Sequence, residues 1–362
     1  MKITFVLISY PWEPVGGYRV VYEYANHLAA RGHEVNIIHP TRMHNLPAYL
    51  NLLRTLRSYG WKLRQRWQGW QVQWQEINPS VRMLYVPNLK AKNIPEADAV
   101  IATAWQTAEY VKEYSSDKGK KFYLIQHHEK WSGEETRVNK TWLFPLHKIV
   151  IANWLYQLGL KLGVAPADIT RIPNGIDLKK WRLTNNIEER QPRVAMQYHS
   201  AEWKGCPDGL EALEIAKKQH PDLQAIFFSA YPKPKNMPSW VEYHHKPSQI
   251  KLVEIYNNAR IYLCPSWAEG FHLPPMEAMA CGCALVATDC SGVQGESARP
   301  DINALISPIK KPTALAANLL KLLDDDGLRI KLAQHGHQDI QEFGWEKSAK
   351  KLEDLLTQKI NP

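Results

Sequence analysis

Short apolar runs recur along the chain, each bounded by polar or turn-forming residues, and most are separated by stretches rich in helix formers. The first run, Ile3-Thr-Phe-Val-Leu-Ile8, predicts a strand over Lys2 to Ile8, followed by a Pro/Gly loop to Gly17. A helix is expected from Arg19 to Arg31, a stop at Gly32-His33, and a second strand from Glu34 to Ile38. That is one βαβ unit. Further strands are predicted at Arg82–Val86, Ala99–Ala102, Phe122–Ile125 and Lys148–Ala152. Apolar runs linked by helices imply a mostly parallel sheet. The polar stretch Leu183–Pro192 reads as a linker, after which the alternation restarts at Arg193–Gln197 and continues at Gln224–Phe228, Ile261–Cys264 and Ala284–Ala287. A closing helix is predicted over Trp345–Lys359. The pattern describes two α/β domains, residues 1–182 and 192–344, with a C-terminal helix over 345–362.

Size agrees, since 362 residues exceed one typical domain and suit two, each burying its own core. A hydrophobic content of 44% and a charged content of 22% fit a folded globular chain and exclude extensive disorder. No run approaches the roughly 18 uninterrupted apolar residues of a spanning helix, and the run at Ile3–Ile8 is closed by Pro11 without a small-residue cleavage site, so it reads as a strand rather than a signal peptide. A cytoplasmic location is the expectation. The five cysteines lack paired metal-site spacings and read as reduced core residues.

Charge is shared unevenly. Residues 1–170 carry 21 Lys+Arg against 13 Asp+Glu, and residues 171–362 carry 24 against 23. The basic excess concentrates in an insert at about 41–80. From Pro47 to Trp74, Leu52, Leu56, Leu63, Trp67, Trp70 and Trp74 recur near helical spacing with Arg54, Arg57, Lys62, Arg64 and Arg66 between them. A basic amphipathic helix with tryptophans suits peripheral contact with an anionic membrane at its inner face; a core-packing stripe is the other reading. No nucleic-acid reading motif accompanies the basic tract, so nucleic acid is not expected as a partner.

The stretch richest in chemistry is Pro265–Gly282, PSWAEGFHLPPMEAMACG, which follows a buried strand and opens a helix. Pro274 and Pro275 suit a helix entrance, leaving the amides of Gly270, Phe271, His272 and Leu273 to face a ligand. Such a helix end attracts phosphate. Glu277 can accept both hydroxyls of a ribose diol and Glu269 those of a second sugar, a combination suited to a nucleotide sugar.

This segment resembles the C-terminal signature of the family 4 retaining glycosyltransferases, an E-G-F…P…E-A-M-A-x-G frame in which every position is filled here. The resemblance implies the GT-B fold: two doubly wound Rossmann-like domains facing across a cleft, the last helix returning to the N-terminal domain. It covers essentially the whole chain except about residues 41–80. It implies a nucleoside diphosphate sugar as co-substrate, a glycan or lipid-linked acceptor, retained anomeric configuration and no required metal. Gly16 and Gly17, after the first strand, look like the family's N-terminal opening and would let backbone amides approach the donor. Lys204, in Tyr198-His-Ser-Ala-Glu-Trp-Lys-Gly205, would supply a cation to the donor diphosphate. The family usually has an arginine five residues earlier; here His199 stands there, a partial and pH-sensitive charge in place of a fixed one.

Gln126-His-His-Glu129 ends an apolar strand of the N-terminal domain, where the family often has a histidine near the transferred sugar. His127 and His128 share that expectation, since on a continuing strand they face opposite ways. Trp105, ending another strand, could stack on an acceptor sugar or simply pack. Ile172-Pro-Asn-Gly-Ile-Asp177 resembles the family's hinge segment. The activity implied is transfer of a sugar to a hydroxyl, in cell-surface polysaccharide synthesis. Two other readings stay open: a hydrolysing nucleotide-sugar epimerase, and a non-catalytic sugar-nucleotide or membrane-binding module.

Overall fold

A computed structural model describes residues 1–11, 14–41, 72, 74–291 and 297–361. Most of the basic insert, residues 42–71 and 73, lies outside the described residues. The chain forms two compact units, residues 1–174 with 345–362, and residues 175–344.

The first unit holds a parallel sheet of β1 (Lys2–Val6), β2 (Glu34–Pro40), β3 (Arg82–Val86), β4 (Ala99–Ala102), β5 (Lys120–Ile125), β6 (His147–Val150) and β7 (Ile169–Arg171). Their order is β3-β2-β1-β4-β5-β6-β7. Apolar side chains on β1, β4 and β5 are buried on both faces, as a parallel sheet covered by helices requires. The covering helices are α1 (Gly16–Ala30), α2 (Trp105–Val111), α3 (Glu135–Trp142) and α4 (Asn153–Lys161). The order reverses between β1, whose register pairs Ile3 with Val35, and β4, which pairs Ala99 with Ile3 on the other side. The loops leaving β1 and β4 therefore splay apart, opening a crevice at their carboxyl ends.

The second unit repeats the plan with β8 (Arg193–Gln197), β9 (Gln224–Ser229), β10 (Val241–His245), β11 (Ile261–Cys264), β12 (Ala284–Thr288) and β13 (Ala304–Ser307), in the order β10-β9-β8-β11-β12-β13. Its helices are α5 (Cys206–Gln219), α6 (Gln249–Asn258), α7 (Leu273–Ala280), α8 (Pro312–Asp324) and α9 (Asp326–Ile340). Val194, Met196, Phe227, Leu263 and Val286 form the centre of its core. The reversal falls between β8 and β11, where Ile261 pairs with Val194.

The polar stretch expected as a linker lies against this unit. Arg190 is 5% exposed and donates to the carbonyls of Ala259 at 2.8 Å and Cys281 at 2.6 Å, covering the ends of α6 and α7. Leu183 and Ile187 join the apolar core. Burying a guanidinium is tolerated only when its donors find acceptors, and backbone carbonyls at helix ends are ready ones.

The chain then returns to the first unit as α10 (Trp345–Ile360), which packs on α1. Trp345 meets Tyr24 edge-on at 5.3 Å, and Glu353 takes Arg31 and His33 as partners, the latter at 2.9 Å.

Candidate active site

Both reversal points carry residues singled out by sequence. In the second unit the loop leaving β8 runs through His199 to a short 3-10 turn at Glu202–Lys204, then Gly205 and α5. The loop leaving β11 runs from Pro265 to His272 and into α7. The two are fastened together. Gly205 has φ +60°, and a Cβ there would lie 2.0 Å from the Pro265 carbonyl oxygen. Trp267 donates its backbone N–H to the Trp203 carbonyl at 2.7 Å and its indole N–H to Asp208 at 2.7 Å.

This fastening sets Lys204 Nζ 2.8 Å from Glu269 Oε1. Glu269 is only 8% exposed. Burial alone would raise its carboxyl; the opposing influence of His272 and Lys204, with hydrogen bonds from Lys204 and Ser266, holds it below the ordinary carboxylate range. His272 Nε2 stands 3.5 Å from the same oxygen and Nδ1 3.1 Å from the Cys264 sulfur. Burial pushes His272 down to about 4 and the Cys264 thiol upward, so at neutral pH the ring is uncharged. The tautomer that fits accepts the thiol proton at Nδ1 and turns Nε2–H to Glu269. Lys204 is then the cation that balances Glu269.

His272 adopts φ +60°, a conformation uncommon for a residue with a side chain. It caps α7, sending its ring inward while Gly270, His272 and Leu273 stay partly exposed. Phe271 is buried beneath the loop at 3% exposure. Glu277, on the buried side of α7, is near Tyr256 and Tyr262, whose hydroxyls its charge and their own burial push upward.

His199 stands where the resemblance sets an arginine. Its Nδ1 accepts the Ala201 backbone N–H at 2.9 Å, and burial together with Lys204 lowers its pKa. The ring is a neutral imidazole whose Nε2 lies 3.4 Å from the Tyr231 hydroxyl. It can offer one hydrogen bond where an arginine would offer a fixed charge.

In the first unit, Gly16 and Gly17 open α1 directly after the loop from β1. A Cβ at Gly16 would meet nothing within 4 Å; the Gly17 carbonyl accepts from Gln126 Nε2 at 2.9 Å, tying α1 to the end of β5. The strand ends at Ile125, before the two histidines, which nonetheless part ways. His128 Nε2 binds Asn139 of α3 at 2.6 Å, whereas His127 lies between Trp131 and Trp154, with ring centroids 4.5 and 5.3 Å away.

Trp105 is not available to stack on a sugar. It is 4% exposed, its indole N–H donates to Ser132 at 2.9 Å, the Arg137 guanidinium covers its ring at 5.0 Å, and a Cβ at Gly133 would press into that ring at 2.5 Å. The missed residue beside it is Glu129. Burial pushes its carboxyl up to about 7 against the lowering effect of the Trp105 N–H, which stands 3.4 Å away. The only available sign was a glutamate closing a strand among aromatic residues.

Among the described residues no group of three or more His, Cys, Asp or Glu could hold a metal ion, and no helix is long and apolar enough to cross a membrane. Trp74, the described end of the basic insert's stripe, packs on Tyr22 at 5.6 Å and donates to the Pro11 carbonyl.

Two doubly wound units of this kind define the GT-B fold, and the chain is similar over 99% of its length to solved structures that share it. They include sucrose-phosphate synthase from Thermosynechococcus elongatus, with TM-score 0.74, 19% identity and 98% of that chain covered. HepE of Anabaena, in complex with UDP, gives TM-score 0.76 at 14% identity with all of that chain covered. Residues 194–325, in the second unit, match the family Glycosyl transferases group 1. Among curated relatives, the N,N'-diacetylbacillosaminyl-diphospho-undecaprenol alpha-1,3-N-acetylgalactosaminyltransferase of Campylobacter jejuni is 33% identical over 100 residues, 28% of this chain and 26% of that protein. The O-antigen chain mannosyltransferase B of Escherichia coli is 32% identical over 122 residues, 34% of this chain and 29% of that protein. The chain thus spans about a quarter of the length of the curated relatives it matches.

Proposed function

We propose that the protein is a retaining glycosyltransferase that moves a sugar from a nucleoside diphosphate sugar to a hydroxyl of a glycan or lipid-linked acceptor. The observation that carries this reading is the Lys204–Glu269 pair, 2.8 Å apart on the two loops that leave the reversal point of the second unit. Ligands of open α/β sheets bind there. A diphosphate would meet Lys204 and the amino ends of α5 and α7. Glu277 would hold the ribose, and Glu269 with the backbone of Gly270 to Leu273 would hold the donor sugar, His199 adding one neutral hydrogen bond.

The first unit is the acceptor side, with Gly16, Gly17 and His127 at its own reversal point; His128 positions α3. Retention follows from the likeness to family 4, in which the leaving diphosphate helps take the acceptor proton. The protein then supplies position and charge rather than a strong base. The match of the second unit to that family and the acceptors in the names of its relatives, an undecaprenol-linked sugar and an O-antigen chain, favour a polysaccharide or lipid-linked product. Residues 47–74 would bring the enzyme to an anionic membrane surface where such acceptors sit.

Thermal-shift measurements with UDP-, GDP-, dTDP- and ADP-sugars test the donor half of the reading. One nucleotide sugar should stabilise the protein, Glu277→Ala should raise its KM strongly, and EDTA should leave transfer unchanged. Stabilisation by none of them would overturn the reading, and donor turnover without any acceptor would favour an epimerase.

A further inference from the structure

The turn that follows β5 brings a half-buried carboxylate and an exposed indole together. Lys130 N–H donates to the His128 carbonyl at 2.8 Å and Ser132 N–H to that of Glu129 at 3.1 Å. The Ser132 hydroxyl donates to the same Glu129 carbonyl at 2.9 Å and accepts the Trp105 indole N–H at 2.9 Å. These bonds make residues 128–132 a rigid loop pinned to α2. Its two outward features differ in kind. Glu129 turns its carboxylate back to the start of α2, 3.4 Å from the Trp105 amide, within the electrostatic reach of Tyr18 on α1 and Tyr123 on β5. Tyr18 is itself held by Ser9 at 2.8 Å.

Trp131, two residues on, is 64% exposed, the most exposed large apolar side chain among the described residues after Ile250. Its ring is braced by His127 at 4.5 Å, which leans on Trp154 at 5.3 Å. An exposed tryptophan alone is a common surface feature, and a half-buried glutamate alone is often structural. What is unusual is a braced aromatic face and a water-poor carboxyl in one rigid turn, at the carboxyl end of a strand beside the sheet's reversal point.

We propose that this turn is a saccharide subsite, in which Trp131 supplies the face against which an acceptor sugar ring stacks and Glu129 accepts a hydrogen bond from one of its hydroxyls. The inference rests on the transferase reading, and it moves the stacking role from the packed Trp105 to Trp131. A pyranose has both an apolar C–H face and an edge of hydroxyls, matching both features. A phosphate would be repelled by the carboxylate, and an acyl chain would leave it unpaired. With its carboxyl pushed up to about 7, Glu129 meets a hydroxyl either as carboxylate or as acid near neutrality, and both forms accept a hydrogen bond.

Saturation-transfer NMR on the full chain with methyl α- and β-glycosides of glucose, mannose, galactose, rhamnose and N-acetylglucosamine tests the assignment. At least one glycoside should bind at millimolar concentration. Trp131→Ala and Glu129→Gln should each weaken it by roughly tenfold, a change of about 1.4 kcal/mol, while Trp131→Phe keeps most of the binding. The nucleotide sugar that stabilises the wild type should stabilise both variants equally. Binding of no glycoside to the wild type, or equal binding to both variants, overturns the subsite. Failure of every nucleotide sugar to shift the wild type strikes the transferase reading instead, and the glycoside comparison still judges the turn.

Discussion

A methyl group on Gly205 would sit 2.0 Å from the carbonyl oxygen of Pro265, so the loops leaving β8 and β11 touch through a residue that has no side chain. Gly205 also holds φ +60°. Both demands fail in Gly205→Ala, which must part the loops and with them Lys204 from Glu269. The expected result is a stability loss of about 3 kcal/mol or more, from strain and clash together, with donor-induced stabilisation abolished. Denaturant unfolding with and without donor checks it, and near-wild-type behaviour would mean the loops are free to separate.

Removing one member of the ion pair should cost more than removing both. Lys204→Met leaves a buried carboxylate facing a neutral His272, which, with or without a ligand, costs on the order of 3–5 kcal/mol for a buried pair. Glu269→Gln leaves Lys204, the more exposed partner at 21% against 9%, and should cost less. The double variant should be more stable than Lys204→Met alone, as a double-mutant cycle in urea would show. Additive losses would mean that the pair does not interact.

A fixed charge at position 199 should strengthen phosphate binding. The neutral ring of His199 offers one hydrogen bond, whereas His199→Arg would add a bidentate cation. The expected change is roughly a fivefold to tenfold lower Kd for the nucleoside diphosphate, about 1–1.4 kcal/mol, read by titration calorimetry. An unchanged Kd would place the diphosphate away from the end of β8.

Glu129 should make stability fall as pH rises. Its carboxyl is raised to about 7 in the fold by burial, against about 4.3 in an unfolded chain, with the Trp105 amide on α2, Tyr18 on α1 and Tyr123 on β5 facing it. The folded protein therefore holds a proton that the unfolded chain releases. That contribution is complete below the unfolded pKa and is lost as pH rises through the folded one. Glu129→Gln should match the wild type near pH 4 and be more stable above pH 8, by at most about 4 kcal/mol. Calorimetric Tm values across that range check it; a difference independent of pH would show that Glu129 titrates normally.

The central strands were plain in the sequence because parallel strands buried on both faces are continuous apolar runs. Ala99–Ala102, Arg193–Gln197 and Ile261–Cys264 fall where expected, and so does the edge strand Arg82–Val86. Three strands were not legible. β10 reads Val-Glu-Tyr-His-His, an edge strand with no apolar run to mark it, β7 is only three residues long, and β13 offers only Leu305 and Ile306 as large apolar residues. The donor loop was legible as a motif, yet its fastening was not, since contact between Gly205 and Pro265 is a fact of folding rather than of spacing. Trp105 and Trp131 show the same limit. Both are tryptophans beside a strand end, and only the neighbours Gly133, Arg137 and Ser132 decide which ring is enclosed.

The backbone N–H of Ile176 donates to the Phe343 carbonyl at 2.7 Å, and Ile176 bridges Gly344 in parallel, so the chain enters and leaves the second unit side by side. In genetic terms residues 175–344 are an insertion cassette whose two ends are already stitched together. Excising it and joining Asn174 to Trp345 through a short flexible linker would preserve the docking of α10 on α1. Each unit is thereby open to expression as a separate polypeptide, with its reversal-point site intact.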